Sequence, residues 1–130
     1  EIIEDDYCEP EPQKIKKVLL CSGKIYFDLS EKQMQDERRD VAVIRLEQLY
    51  PLPMKQLEAL QEKYRHANWF WVQEEPANMG AAWYLKMSLE HFNFGVISRN
   101  AGAATATGYA RLHKEEQQEI IDTAFSILNR

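Results

Sequence analysis

One hundred and thirty residues, with 16 Lys and Arg set against 21 Asp and Glu, give a formal net charge of −5. That length fits one domain, and 45% hydrophobic with 28% charged residues excludes a disordered or fibrous chain. The acidic balance argues against a generally basic surface of the kind that binds nucleic acid or anionic membrane. Cys8 and Cys21 are too few for a disulfide framework and have no metal-ligand spacing. No apolar run approaches the roughly 20 residues of a membrane span, and no signal peptide is visible, so cytosol or an organelle interior is expected. The chain starts at Glu1 rather than Met, which suggests a piece of a longer polypeptide.

In chain order, residues 1–14 are acidic and carry Pro10 and Pro12. Ile2 and Ile3 predict a short edge strand, and the rest of the segment a linker, leaving a domain over 15–130. Four short apolar runs follow: Val18–Cys21, Val41–Ile44, Trp69–Val72 and Gly95–Ile97. Each is nearly continuous, as expected of strands covered on both faces in a parallel sheet. Between them the spacing predicts helices. One covers Lys24 to Arg38, with a sparse stripe of Ile25 and Leu29. Another begins at Met54, with Leu57, Leu60 and Tyr64 and with Pro53 to start it. A third begins at Met79, with Ala82, Leu85, Leu89 and Phe92, and Asn78 as its N-cap. The last carries Ile120, Ile121, Ala124, Ile127 and Leu128, with Glu115 and Glu116 in its first turn. Repeated strand–helix alternation predicts a three-layer α/β/α domain with right-handed crossovers.

Ligands of open parallel sheets favour the carboxyl ends of the strands. Those ends read Ser22-Gly23-Lys24, Arg45-Leu46-Glu47, Gln73-Glu74-Glu75-Pro76 and Ser98-Arg99. Ser22 and Lys24 flank a glycine at a helix start, where backbone N–H groups can hold an anion; the glycine serves a simple turn equally well, and no P-loop pattern is present. Arg45 and Arg99 suit carboxylate or phosphate, or they pair with Glu47, Glu74 or Glu75. Glu74 and Glu75 form a carboxylate pair, but neighbours in an extended segment point opposite ways. His66, His91 and His113 lack ligand spacing, and Cys21 reads as a packing residue. Trp69 and Trp71 share one strand face and read as core. Trp83 and Tyr84, after Gly80 and two alanines, read as interface or core. Residues 101–108, all small, form a loop open to close approach or a plain connector.

Four motifs, LCSGKIYFDL (Leu20–Leu29), RLEQLYPLP (Arg45–Pro53), QEEPANMGAAWY (Gln73–Tyr84) and AATATGYARLHKEEQQEII (Ala103–Ile121), occur in that order. Together they resemble the C-terminal domain of the thiamine-diphosphate-dependent, decarboxylating component of 2-oxoglutarate dehydrogenase. The resemblance covers the chain from about Lys16 onward. It implies a transketolase C-terminal-domain fold, a five-stranded mixed, mostly parallel sheet whose first strand, residues 1–4, is antiparallel. The family usually reads Arg-Pro-Ala-Ser where this chain has Arg99-Asn100-Ala101-Gly102, which weakens a ligand role for that loop.

The resemblance also implies a non-catalytic assembly domain. Its parent, a homodimer, would decarboxylate 2-oxoglutarate on thiamine diphosphate and magnesium in the citric acid cycle. It would pass the succinyl group to lipoyl-lysine of a succinyltransferase partner, in a bacterial cytoplasm or a mitochondrial matrix. Cofactor and chemistry would belong to the preceding domains of the same chain, and no Gly-Asp-Gly metal–diphosphate motif occurs here. No cofactor is expected in this segment, and Glu74, Glu75, Asn78, Gly80 and Trp83 are the interface or motif residues. The alternative is a regulatory nucleotide- or anion-binding module, of acetyl-CoA or AMP type, with Ser22, Lys24, Arg45 and Arg99 as its residues. A third reading, a self-contained α/β enzyme, has no catalytic constellation to support it.

Overall fold

A computed structural model describes residues 1–99 and 110–126. The 101–108 loop, the residues that depart from the family pattern at 100–102, and Ile127 and Leu128 lie outside these. The elements run β1 (Ile2–Ile3), β2 (Lys17–Cys21), α1 (Ile25–Gln35), β3 (Val41–Leu46), α2 (Met54–Lys63), β4 (Asn68–Pro76), α3 (Ala82–Ser88), β5 (Phe94–Arg99) and α4 (Ala110–Ala124). They build one five-stranded sheet of order β1-β3-β2-β4-β5. β2–β5 are parallel and β1 is antiparallel to β3, as expected.

All five residues of β2 are buried, which is why Val18–Cys21 is a continuous apolar run, with Lys17 buried ahead of it. Alternate side chains feed two cores. Val18, Leu20, Ala42, Ile44, Trp69 and Trp71 face Leu57 and Leu60 of α2 and Ala82 and Leu85 of α3. Leu19, Val41, Val43, Phe70 and Ile97 face Ile25 and Leu29 of α1 and Ile120, Ile121 and Ala124 of α4. The chain leaves β2 toward β3 through α1 on one face, then crosses back over β2 to β4 through α2 on the other. A constant crossover hand requires that change of face, and it opens the sheet's topological switch point between the carboxyl ends of β2 and β4.

Three helices depart from the expected bounds. The third begins at Ala82 rather than Met79; Ala81 occupies its N-cap with no side-chain cap, so the N-cap role assigned to Asn78 is not realised. α1 stops at Gln35, and Glu37 beyond it takes a left-handed conformation, φ 50°. α4 begins at Ala110, so Glu115 and Glu116 fall in its second turn instead of its first.

The segment expected to be a linker is fastened to the sheet. β1 pairs Ile2 with Leu46 and Ile3 with Arg45, and the same register would set residue 5 opposite Val43. There a side chain replaces the strand. Asp5 Oδ2 accepts from Val43 N–H at 2.8 Å and from Gln33 Nε2 at 2.7 Å, while Oδ1 accepts from the Tyr7 and Cys8 amides at 2.7 and 3.2 Å. Gln33 is buried in α1, so one carboxylate joins the N-terminal segment, the sheet edge and a helix. Asp5→Ala strands two inward donors at about 1–3 kcal/mol apiece in full burial. With this site part-buried, the expected loss is about 2 kcal/mol in urea unfolding; an unchanged midpoint would show that the edge is held without this carboxylate.

Candidate functional site

The switch-point cleft, of about 200 Å³, is lined by Ser22 and Ile25 from the β2–α1 junction and by Trp71, Gln73, Glu74, Glu75 and Gly80 from β4 and its following turn. Four of the residues singled out in the sequence, Ser22, Glu74, Glu75 and Gly80, therefore meet at one place. The parallel register of β2 and β4, Leu20 opposite Trp71, delivers both strand ends there. Gly23, at φ 79°, makes the left-handed turn into α1 that a side chain disfavours. Lys24, at the N-cap of α1, makes no side-chain cap.

Gln73 organises this cleft, and sequence reasoning passed over it. Its side chain is 4% exposed. Gln73 Oε1 accepts from Trp71 Nε1 at 2.8 Å and from Ala82 N–H at 2.9 Å. Its Nε2 donates to the carbonyls of Glu75, Pro76 and Met79 at 3.1, 2.8 and 2.8 Å. One amide thus satisfies a buried indole, a helix-start N–H and the turn that precedes it. A glutamine closing an apolar strand just before a Pro- and Gly-bearing turn was the available signal. Gly80 is required by the same arrangement: φ is 67°, and a Cβ there would lie 3.0 Å from Glu75 Oε1 and 3.3 Å from both polar atoms of the Gln73 amide.

Glu74 and Glu75 depart from simple alternation. The register between β4 and β5 shifts between Val72 and Pro76, and both glutamates line the same cleft. Neither enters an ion pair among the described residues.

The two arginines do not assemble into one site. β2 and β4 lie between their strands, so three strand spacings, about 14 Å, separate them. Arg45 Nε lies 2.7 Å from Glu47 Oε2, without an aligned hydrogen bond, and its guanidinium stacks 4.8 Å from the Tyr26 ring centroid and 5.6 Å from that of Phe27. Arg99 takes a partner the strand ends did not suggest, Glu116 of α4; the two side chains are 9% and 13% exposed. Its Nε donates to the Glu74 carbonyl at 2.9 Å, and its NH2 reaches Gln117 Oε1 at 3.4 Å. Arg99 is therefore a strut that binds α4 to the ends of β4 and β5. Such a buried pair is costly to break from one side.

Nucleophiles and metal donors are not assembled among the described residues. Burial pushes the Cys21 thiol up to about 12 and the Cys8 thiol up to about 11, so neither is a thiolate at neutral pH. Among the described residues no group of three His, Cys, Asp or Glu side chains is placed to hold a metal ion. Among the described residues no helix is long and apolar enough to cross a membrane.

Beside the cleft the surface turns apolar. Trp83 and Met87 are 63% and 62% exposed on α3, one turn apart. Met79 is exposed in the turn before them, and Tyr50, preceding the cis Tyr50–Pro51 peptide, sits 5.9 Å ring to ring from Tyr84. Trp69 and Trp71 are core, as their shared strand face predicted, and of the two readings of Trp83 the core one is excluded, since it lies at the surface.

Comparison with known proteins gives one consistent answer. The family described as 2-oxoglutarate dehydrogenase C-terminal matches residues 1–125. An oxoglutarate dehydrogenase of Buchnera aphidicola is 36% identical over 129 residues, covering 95% of this chain and 14% of that protein. A multifunctional 2-oxoglutarate metabolism enzyme of Mycolicibacterium vanbaalenii is 45% identical over 119 residues, covering 86% of this chain and 10% of that protein. This chain thus spans a small part of the curated relatives it matches. Among solved structures, a split-gene transketolase, described as an inactive β4 tetramer, matches with TM-score 0.57 at 19% identity over 88% of this chain and 40% of its own. That likeness concerns the fold.

The cleft's dependence on one amide sets its test. Gln73→Leu removes the partners of Trp71 Nε1 and Ala82 N–H while keeping the bulk, and each stranded buried group costs about 1–3 kcal/mol. Chemical unfolding is expected to show a loss of about 2–4 kcal/mol, with the Trp71 emission altered; a variant as stable as the parent would deny Gln73 this role.

Proposed function

The chain belongs to the 2-oxoglutarate dehydrogenase C-terminal family, and on that premise we propose that it is the non-catalytic assembly domain of such an enzyme. The parent decarboxylates 2-oxoglutarate on thiamine diphosphate with magnesium and transfers the succinyl group to lipoyl-lysine. Its partners are the preceding domains of the same chain, a second copy in a homodimer, and the lipoyl-bearing succinyltransferase. It acts in a bacterial cytoplasm or a mitochondrial matrix.

The observation that carries the assembly reading is the run of exposed Met79, Trp83 and Met87, with Tyr50 and Tyr84 beside it. Side chains of this kind anchor protein contacts when desolvated, and the order imposed by Gln73 holds the base of α3 in place beneath them. The donor set at the cleft does not suit a thiamine diphosphate–magnesium pair: beside its two carboxylates it offers no cation for a diphosphate. Cofactor and catalysis are therefore assigned to other parts of the parent. The regulatory reading draws less support, since Arg45 and Arg99 are far apart and each already has an acid.

Two measurements test the proposal. The isolated 130-residue chain, given thiamine diphosphate, magnesium and 2-oxoglutarate, should release no CO₂ above background; turnover would overthrow the non-catalytic assignment. In the full-length parent, Trp83→Asp with Met87→Asp should leave the melting of this domain near its original value, because both positions are exposed. Sedimentation should show subunit association weakened at least tenfold, and unchanged association would remove this surface from assembly.

A further inference from the structure

At the other end of the sheet, where β2 and β4 begin, a second cavity of about 380 Å³ opens beside the C-terminus of α4. Four basic side chains line it, Lys16, Lys17, Arg38 and His66, against one carboxylate, Asp40. This is a local inversion of charge in a chain that is acidic as a whole.

The negative groups present are already engaged. Arg38 grips Asp40 through Nε and NH2, at 2.9 and 3.2 Å. That hydrogen bonding, chiefly, holds the Asp40 carboxyl below its ordinary pKa. The carbonyls at the end of α4, the negative pole of that helix, are engaged as well. Lys17 Nζ donates to the Ala124 and Ser126 carbonyls at 3.1 and 2.8 Å, and Arg38 NH1 donates to the Phe125 carbonyl. Lys17 is 4% exposed; burial first, and then the neighbouring Arg38 cation, push its ammonium pKa down. Two cations are thus held close enough to oppose one another, with a single shared carboxylate nearby. Lys16 and His66 at the mouth are exposed.

We propose that this cavity binds a small tetrahedral oxyanion of the phosphate class, with Lys16 and His66 as donors at the mouth and Lys17 and Arg38 supplying the field of the wall. Basic side chains from the start of β2, the α1–β3 connection and the α2–β4 connection line it from three elements. A tetrahedral group, which offers oxygens on several sides, answers that arrangement better than a planar carboxylate. Partial enclosure by protein strengthens each interaction over its value in water. The site lies at the opposite end of the strands from the cleft and is independent of the assembly reading.

The test is a titration of the ¹⁵N-labelled 130-residue chain with inorganic phosphate, and separately with the monoester glycerol 2-phosphate, at constant ionic strength. Saturable shifts clustered at Lys16, Lys17, Arg38, His66 and Asn68 are expected. Saturation by phosphate identifies the free ion as a ligand; saturation by the monoester alone identifies an esterified phosphate whose remainder fills the cavity. The double variant Lys16→Gln/His66→Gln changes only exposed groups, leaves the α4 cap intact, and should weaken binding about tenfold. Linear shifts, shifts reproduced by chloride, or unaltered affinity in the double variant would each overturn the site. Lys17→Gln serves as a control for the wall: a folded variant with undiminished affinity would also overturn it.

Discussion

A parallel sheet covered on both faces leaves its polar problem at its two ends, where backbone groups leave the ladder and helices begin or stop without water to serve them. In this chain a buried polar side chain does much of that work at each end. Gln73 stands at the carboxyl end, joining β4, the turn after it and the first N–H of α3. Lys17 stands at the amino end, closing the last carbonyls of α4. Arg99 and Asp5 extend the scheme to the flanks, one tying α4 to β4 and β5 and the other tying the N-terminal segment to β3. The apolar cores supply the driving force; these four side chains determine which ends meet.

The difference between the two kinds of residue explains what was legible in the sequence. Val18–Cys21, Val41–Ile44 and Trp69–Val72 announced buried strands because burial on two faces leaves a continuous apolar run. The family motifs supported the five-stranded sheet and its antiparallel first strand. Helix starts were less legible: Met79 continued the periodicity of Leu85 and Leu89, yet the left-handed Gly80 delays α3 until Ala82. The partner of Arg99 was illegible, because Glu116 lies 17 residues away on a helix whose docking is a tertiary event. Gln73 looked like one more polar residue at a strand end, and only its burial reveals that it anchors five groups.

At the carboxyl ends, where α/β proteins commonly keep their chemistry, this one has a narrow cleft built for order. Gly80 packs against the Gln73 amide, Arg45 stacks on aromatics, and Arg99 is committed to α4. What remains accessible beside the cleft is apolar and aromatic, the Trp83 face. The two strand-end arginines are thus engaged within the fold, while Trp83 is left to solvent.

The carboxylate of Asp5 carries one further consequence. By taking the amide of Val43 it completes an edge that β1 covers for only two residues. Without residues 1–8, the strand VAVIRL would present a free row of donors and acceptors on an apolar ribbon, the arrangement that recruits strands from other molecules. The acidic N-terminal segment thus covers that edge, and trimming the chain to the point where its composition turns apolar would expose it.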